Sequence, residues 1–349
     1  MTQNSNNIIE NVTNVQSMGL LDNGVECKKY QLKNSNGMEM WVMDYGATIT
    51  NLIVKGGTGN LVDVVLGFDT IKDYVQSFSL PNATYFGAVV GRCAGRINNG
   101  TFTLNGSTIQ LTQNHGMHQI HGGYKGFSTA IWKVLDYYTG KNPSIKLQYI
   151  SPDGEEGYPG ELITEVIYTL TESNEVNVTF SAQATKDTLV NLTQHSYFNL
   201  AGHKESVLNQ DVQIFAEERL EIESDGIPTG KLLSVETYPA LNFRTKKKCP
   251  KEIDTTFVLT QSKAAELSCT STLLKMTVFT NQPGVHIYVG GNCFNQIEGK
   301  EKATYTPTSG ICFETQYYPD AVNNINFPSP ILLKGTKYHH KTTFKFETL

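Results

Sequence analysis

The stretch EVNVTFSAQA, residues 175–184, carries the clearest structural signal in the chain. Val176, Val178, Phe180 and Ala182 alternate with polar neighbours, so an extended chain here has one apolar face and one wetted face. SIKLQYI at 144–150 repeats the pattern with Ile145, Leu147 and Tyr149, and LKMTVFT (274–280), HIYVGG (286–291) and TTFKFETL (342–349) are further short runs with strand character. Gly, Pro, Asn and Asp turns such as SPDGEEGYPG (151–160) bound them. Helical signals are few, the best being DTIKDYVQS at 69–77, where Asp69 or Thr70 can cap the N-terminus. No fixed-period repeat or linker rich in Pro, Gly or Ser interrupts the pattern. The expectation is an all-β chain with a few short helices, organised as one domain over 19–349 behind a polar, Asn-rich extension at 1–18.

Composition narrows the partners. The 349 residues carry 28 Lys and Arg against 33 Asp and Glu, a formal net charge of -5. The one basic run, RTKKKCPK at 244–251, contains a proline and reads as a solvated loop. Nucleic acid is therefore not an expected partner. No segment reaches the roughly 18 continuous apolar residues that a membrane span needs, and the N-terminus lacks the charged head and apolar stretch of a secretory signal. The six cysteines are scattered with no CxxC pair, which suits free thiols in a reducing, cytoplasmic setting. Oligomeric state is expected to be monomer or weak dimer.

Chemistry concentrates in four stretches. In YFGAVVGRCAGRINNGTF (85–102) small residues surround Arg92 and Arg96; glycines at this density mark turns, or a backbone that passes close to a ligand. In NHGMHQIHGG (114–123) His115, His118 and His121 recur every three residues, a spacing that does not place all three on one strand face, so no metal is expected. A turn that aims His121 at a polar site fits the flanking glycines, with His115 and His118 solvated. In TQHSYFNLAG (193–202) His195 reads as a satisfied core histidine or as a proton-transfer group, and Tyr197, two residues on, shares its face if the segment is extended. In GICFETQYYPDAVN (310–323) Glu314 stands among Cys312, Phe313 and Tyr317. It is either a surface-pointing strand residue or a carboxylate in a partly apolar setting, the kind that makes a better general base near neutrality.

Taken together, these stretches resemble the aldose 1-epimerase (galactose mutarotase) family. The similarity runs in order through DYGATITNLIV, DVVLGFD, YFGAVVGRCAGRINNGTF, HGGYKGF, SPDGEEGYPGEL, VNLTQHSYFNLAG, DGIPTG, QPGVHIYVGGN and FETQYYPDAVN, from about residue 44 to 323. The combination of HSYFNLAG with ETQ-x-x-PDAVN is specific. The resemblance implies a single large antiparallel β-sandwich of the galactose mutarotase-like supersandwich type, an open sugar cleft, and interconversion of the α and β anomers of free hexoses such as D-galactose and D-glucose, with no cofactor. It also implies that Glu314 is the base on the C1 hydroxyl, that His195 is the acid on the ring oxygen, and that Arg96, His121 and Asp254 bind sugar, with Tyr197 shaping the pocket. Three positions depart from the pattern of relatives: Gly95 where many have Asn, Thr255-Thr256 where a His-Asn or similar pair is common, and His286 where Gln is frequent. They bear on hydroxyl preference and affinity. The alternatives are a hexose-6-phosphate epimerase, whose phosphate would call on Arg92, Arg96 and Lys125, a non-catalytic sugar-binding protein on the same sandwich, and a glycoside hydrolase, which needs two carboxyl groups flanking the bond.

Overall fold

Alternating stretches become strands at the expected places: Glu175–Ala184, Ser144–Ser151, Leu274–Thr280, Gly284–Val289 and Tyr338–Thr348. The computed structural model describes residues 14–80, 83–290, 293 and 296–349. The α-helix at Ile71–Ser77 starts on Thr70, whose side chain accepts a hydrogen bond from the Asp73 backbone N–H, a regular N-cap.

Two sheets form the body. A nine-stranded sheet runs from Lys133–Tyr138 through the long strands Leu162–Leu170 and Glu175–Ala184 to Lys247–Lys248 at its far edge, and a six-stranded sheet includes Tyr197–Phe198, Ile311–Gln316, Gly284–Val289 and Ile253–Val258 as successive neighbours. All the pairings within them are antiparallel. Val176, Val178 and Phe180 from the first sheet and Val285, Ile287 and Phe313 from the second belong to one apolar core. Each such buried side chain contributes about 1.5–3 kcal/mol by leaving water. Phe198 packs 4.9 Å from Phe344 across the layers. A five-stranded meander, from Val15–Leu20 to Leu61–Asp63, adds Leu32, Met40, Val42 and Leu52 to the same core.

Val15–Leu20 begins inside the stretch read as a polar extension; residues 1–13 lie outside the described ones. The core also contains a polar contact: His340 Nε2 lies 3.0 Å from Thr315 Oγ1. Burial pushes the His340 imidazole down to about 3, so it stays neutral.

Candidate active site

The functional face follows from the period of two in the six-stranded sheet. Asp254 lies opposite Tyr288, Thr256 opposite His286, His286 opposite Glu314, and Cys312 opposite Tyr197. Directly opposed residues of antiparallel strands share a face, so these seven side chains point one way. The alternate positions Phe257, Val285, Ile287, Ile311 and Phe313 point into the core. Thr255 goes with the latter, so of the Thr255-Thr256 pair only Thr256 sits on the polar face.

Loops complete the cleft, whose volume is about 360 Å³, at the lower end of the range for small-molecule sites. Gly95, Arg96, His121, His195, Tyr197, Asp254, His286 and Glu314 all line it. His195 follows the short strand Thr193–Gln194, which pairs with Val89–Val90, and its backbone N–H and C=O bond to Ala88 and Gly87. The His195–Glu314 pair is deep: His195 is 3 % exposed and Glu314 2 %, with Nε2 to Oε1 at 3.4 Å. Burial lowers the His195 pKa, and the charge of Glu314 partly offsets this.

Arg96 lies on the strand Arg96–Ile97, and His121 opens the loop after its partner strand Gln119–Ile120, Ile120 pairing with Arg96. The Gly95 N–H donates to His121 Nδ1 at 3.3 Å. Gly95 has φ +76°, and a Cβ there would stand 3.0 Å from the Pro319 ring, so the position suits glycine twice over. The Arg96 guanidinium lies 3.8 Å from Asp254 and rests against Gly226, where an added Cβ would come within 2.9 Å of it. The turn carrying Gly226 is tied down by Asp225, 3.4 Å from His118 Nε2.

Asp254 also meets His286 Nε2 at 3.0 Å, and His286 Nδ1 is 2.9 Å from Thr256 Oγ1. Burial alone would raise the Asp254 pKa, but the hydrogen bond and charge of His286, with Arg96, hold it well below the usual carboxylate range. For His286 burial works downward and the Asp254 contact outweighs it, so its pKa is raised.

The ligand atoms of His121, His195 and Glu314 all lie within 4.8 Å of one another, close enough to consider a metal ion. The donor pattern at His121 opposes it. A ligating imidazole offers a lone pair to the ion and a proton to an outer acceptor, whereas His121 Nδ1 accepts the Gly95 N–H, leaving the ring proton on Nε2. Burial, with the neighbouring His195 and Arg96, holds the His121 pKa well below its ordinary value, so the ring is a neutral donor. An arginine, a neutral imidazole donor and a carboxylate with open lone pairs suit a polyhydroxylated ligand.

Two expectations are corrected. Arg92 is turned away from the cleft: 2 % exposed, its guanidinium donates to the carbonyls of Pro159, Gly160 and Pro152 and to Ser151 Oγ. It braces the loop around Gly160. His118 is buried, not solvated, and accepts the Asn99 N–H at Nδ1; His115 is exposed at the cleft rim.

Sequence reasoning missed Tyr85, which lines the cleft, and the strand mates Cys312 and Gln316. Period two about Glu314 was a signal for the last two. No local pattern pointed to Tyr85, which holds a left-handed φ of +50°.

The aldose 1-epimerase family model matches residues 28–345. The chain belongs to the aldose 1-epimerase family. Galactose mutarotase of Bos taurus is 41 % identical over 332 residues, covering 91 % of this chain and 94 % of that protein, and aldose 1-epimerase of Escherichia coli K12 is 30 % identical, covering 95 % and 98 %. Among solved structures, the aldose epimerase homologue from C. elegans superposes with a TM-score of 0.85 at 26 % identity, covering 92 % of this chain and 99 % of that one; galactose 1-epimerase from Lactobacillus acidophilus gives 0.82 at 26 %, covering 96 % and 98 %. The epimerase family thus spans the same sandwich that the strand pattern builds here.

Proposed function

We propose that this protein is a mutarotase, interconverting the α and β anomers of free hexoses such as D-galactose and D-glucose. The observation that carries the reading is one carboxylate and one imidazole, 3.4 Å apart, at the bottom of a single cleft. Ring opening requires a proton to leave the C1 hydroxyl and another to reach the ring oxygen, two oxygens on one carbon. Glu314 takes the first and protonated His195 gives the second. The pair passes from carboxylate and imidazolium to acid and neutral imidazole with no change in total charge, which suits a buried site. Rotation about C1–C2 presents the other aldehyde face, and the two transfers run backwards on closure.

Arg96 and His121 donate to sugar oxygens, and Asp254 accepts neighbouring hydroxyls on lone pairs that His286 and Arg96 leave open. Tyr197 and the close backbone at Gly95 shape the wall. Polarimetry on freshly dissolved α-D-galactose and α-D-glucose tests the reading; unaccelerated approach to equilibrium with both would refute it.

A sugar phosphate is a poorer fit. Of the three cations considered for a phosphate, Arg92 is committed to loop carbonyls, and Lys125 is not among the residues lining the cleft. The groove continuing from the Arg96 end is lined by Glu223, Asp225 and Asp254, which repel an anion.

A further inference from the structure

The proton-transfer pair leaves unexplained what fixes the His195 ring. Its Nε2 faces Glu314, while Nδ1 lies 3.7 Å from Sγ of the fully buried Cys312. Two tyrosine rings run roughly parallel to the imidazole, Tyr85 at 5.8 Å and 29° and Tyr197 at 5.2 Å and 24°. Tyr85 is itself backed by Phe78 at 5.4 Å and meets His121 edge-on at 4.9 Å.

An imidazole that gives and regains a proton at Nε2 must keep Nδ1 protonated throughout, since the other neutral tautomer offers no lone pair at Nε2. Nδ1 therefore needs an acceptor that does not draw the proton away. Burial, with the nearby Glu314 carboxylate, pushes the Cys312 thiol pKa well above its ordinary value, so the sulfur is a neutral, weak acceptor. The charged and titratable groups around the ring are Glu314 and His286 on the neighbouring strands, His121 on its loop, and Tyr85, Tyr197 and Cys312.

We propose that Cys312 and Tyr85 are positioning residues for His195: the sulfur accepts the Nδ1–H bond and the tyrosine ring fixes the imidazole plane, so that Nε2 is the atom that exchanges protons. The proposal rests on the reading of His195 as the acid of the ring opening.

The test pairs ¹⁵N NMR of the histidine rings with polarimetric kcat and KM and a thermal melt, on wild type, Cys312→Ala, Cys312→Ser, Tyr85→Leu and Tyr85→Phe. Neutral wild-type His195 is expected as the Nδ1–H tautomer. Cys312→Ala should mix the tautomers and lower kcat about tenfold with KM within about twofold, while Cys312→Ser, whose hydroxyl accepts the same bond, should hold kcat within about threefold of wild type. Tyr85→Leu should lower kcat with a broadened His195 signal, and Tyr85→Phe should restore both. A bare Nδ1 in wild-type His195 would overturn the proposal, as would tautomer and kcat unchanged in Cys312→Ala. A tautomer shift without sugar turnover in the wild type would instead sink the epimerase reading and leave the positioning role standing.

Discussion

Nε2 of His195 lies 3.4 Å from Oε1 of Glu314, although the two residues sit on strands and loops far apart in the chain. A carboxylate and an imidazole thus meet at one point of the cleft, as the proposed proton transfers require. Replacing Glu314 with its isostere Gln, or His195 with the smaller polar Asn, removes the proton chemistry of the side chain, so each change should lower kcat at least about a hundredfold. Polarimetry measures it; near-wild-type turnover in either variant refutes the assigned roles.

In the proposed mechanism Asp254 acts on the sugar rather than on the transferred protons. Asp254→Ala should raise KM about tenfold or more and change kcat much less, since a lost charge-assisted hydrogen bond is worth about 1.5–3 kcal/mol. A fall in kcat at constant KM would contradict that division.

The His286–Asp254 contact should give stability a pH dependence of known sign. Because Asp254 raises the folded-state pKa of His286, the stabilisation is fully present below about pH 6.5, the unfolded value, and is lost as pH rises through the raised folded value. The gap in Tm between wild type and His286→Gln should be widest near about pH 6 and shrink towards about pH 9. A gap that does not vary with pH excludes a protonated His286 from the pair.

His340 should act in the opposite window. Its folded pKa of about 3 lies below the unfolded one, so the unfolded chain binds the proton first as pH falls from about 6.5, and stability declines by up to about 1.4 kcal/mol per pH unit from this group alone. His340→Asn should flatten the acid limb of the urea-denaturation midpoint, and an unchanged limb would show that His340 is not its source.

Arg92 serves the scaffold. Arg92→Ala leaves several buried carbonyls without donors and should lower stability by about 3 kcal/mol in urea denaturation. Loss below about 1 kcal/mol would mean that water replaces the guanidinium.

Much of this was legible in the chain because strands advertise themselves locally. In Glu175–Ala184 each inward residue is two positions from the next, so burial of one face is written in a single stretch. The same rule extended from Glu314 reaches Cys312 and Gln316. Arg92 and Arg96 show where it stops: four residues apart in an irregular, glycine-rich segment, one turns inward to loop carbonyls and the other out to the cleft, with no periodicity to separate them.

The strand-forming stretches, the β-class and the set of chemically able residues are all readable from the chain alone, since alternation and residue type are properties of neighbours along it. Which of those residues converge depends on the folded arrangement. Strand register placed His286 beside Glu314 and Asp254, and packing of the Tyr85 segment against His195 closed the cleft wall. Both depend on pairings between distant segments, whose energy comes from burial and hydrogen bonds that no short stretch makes alone.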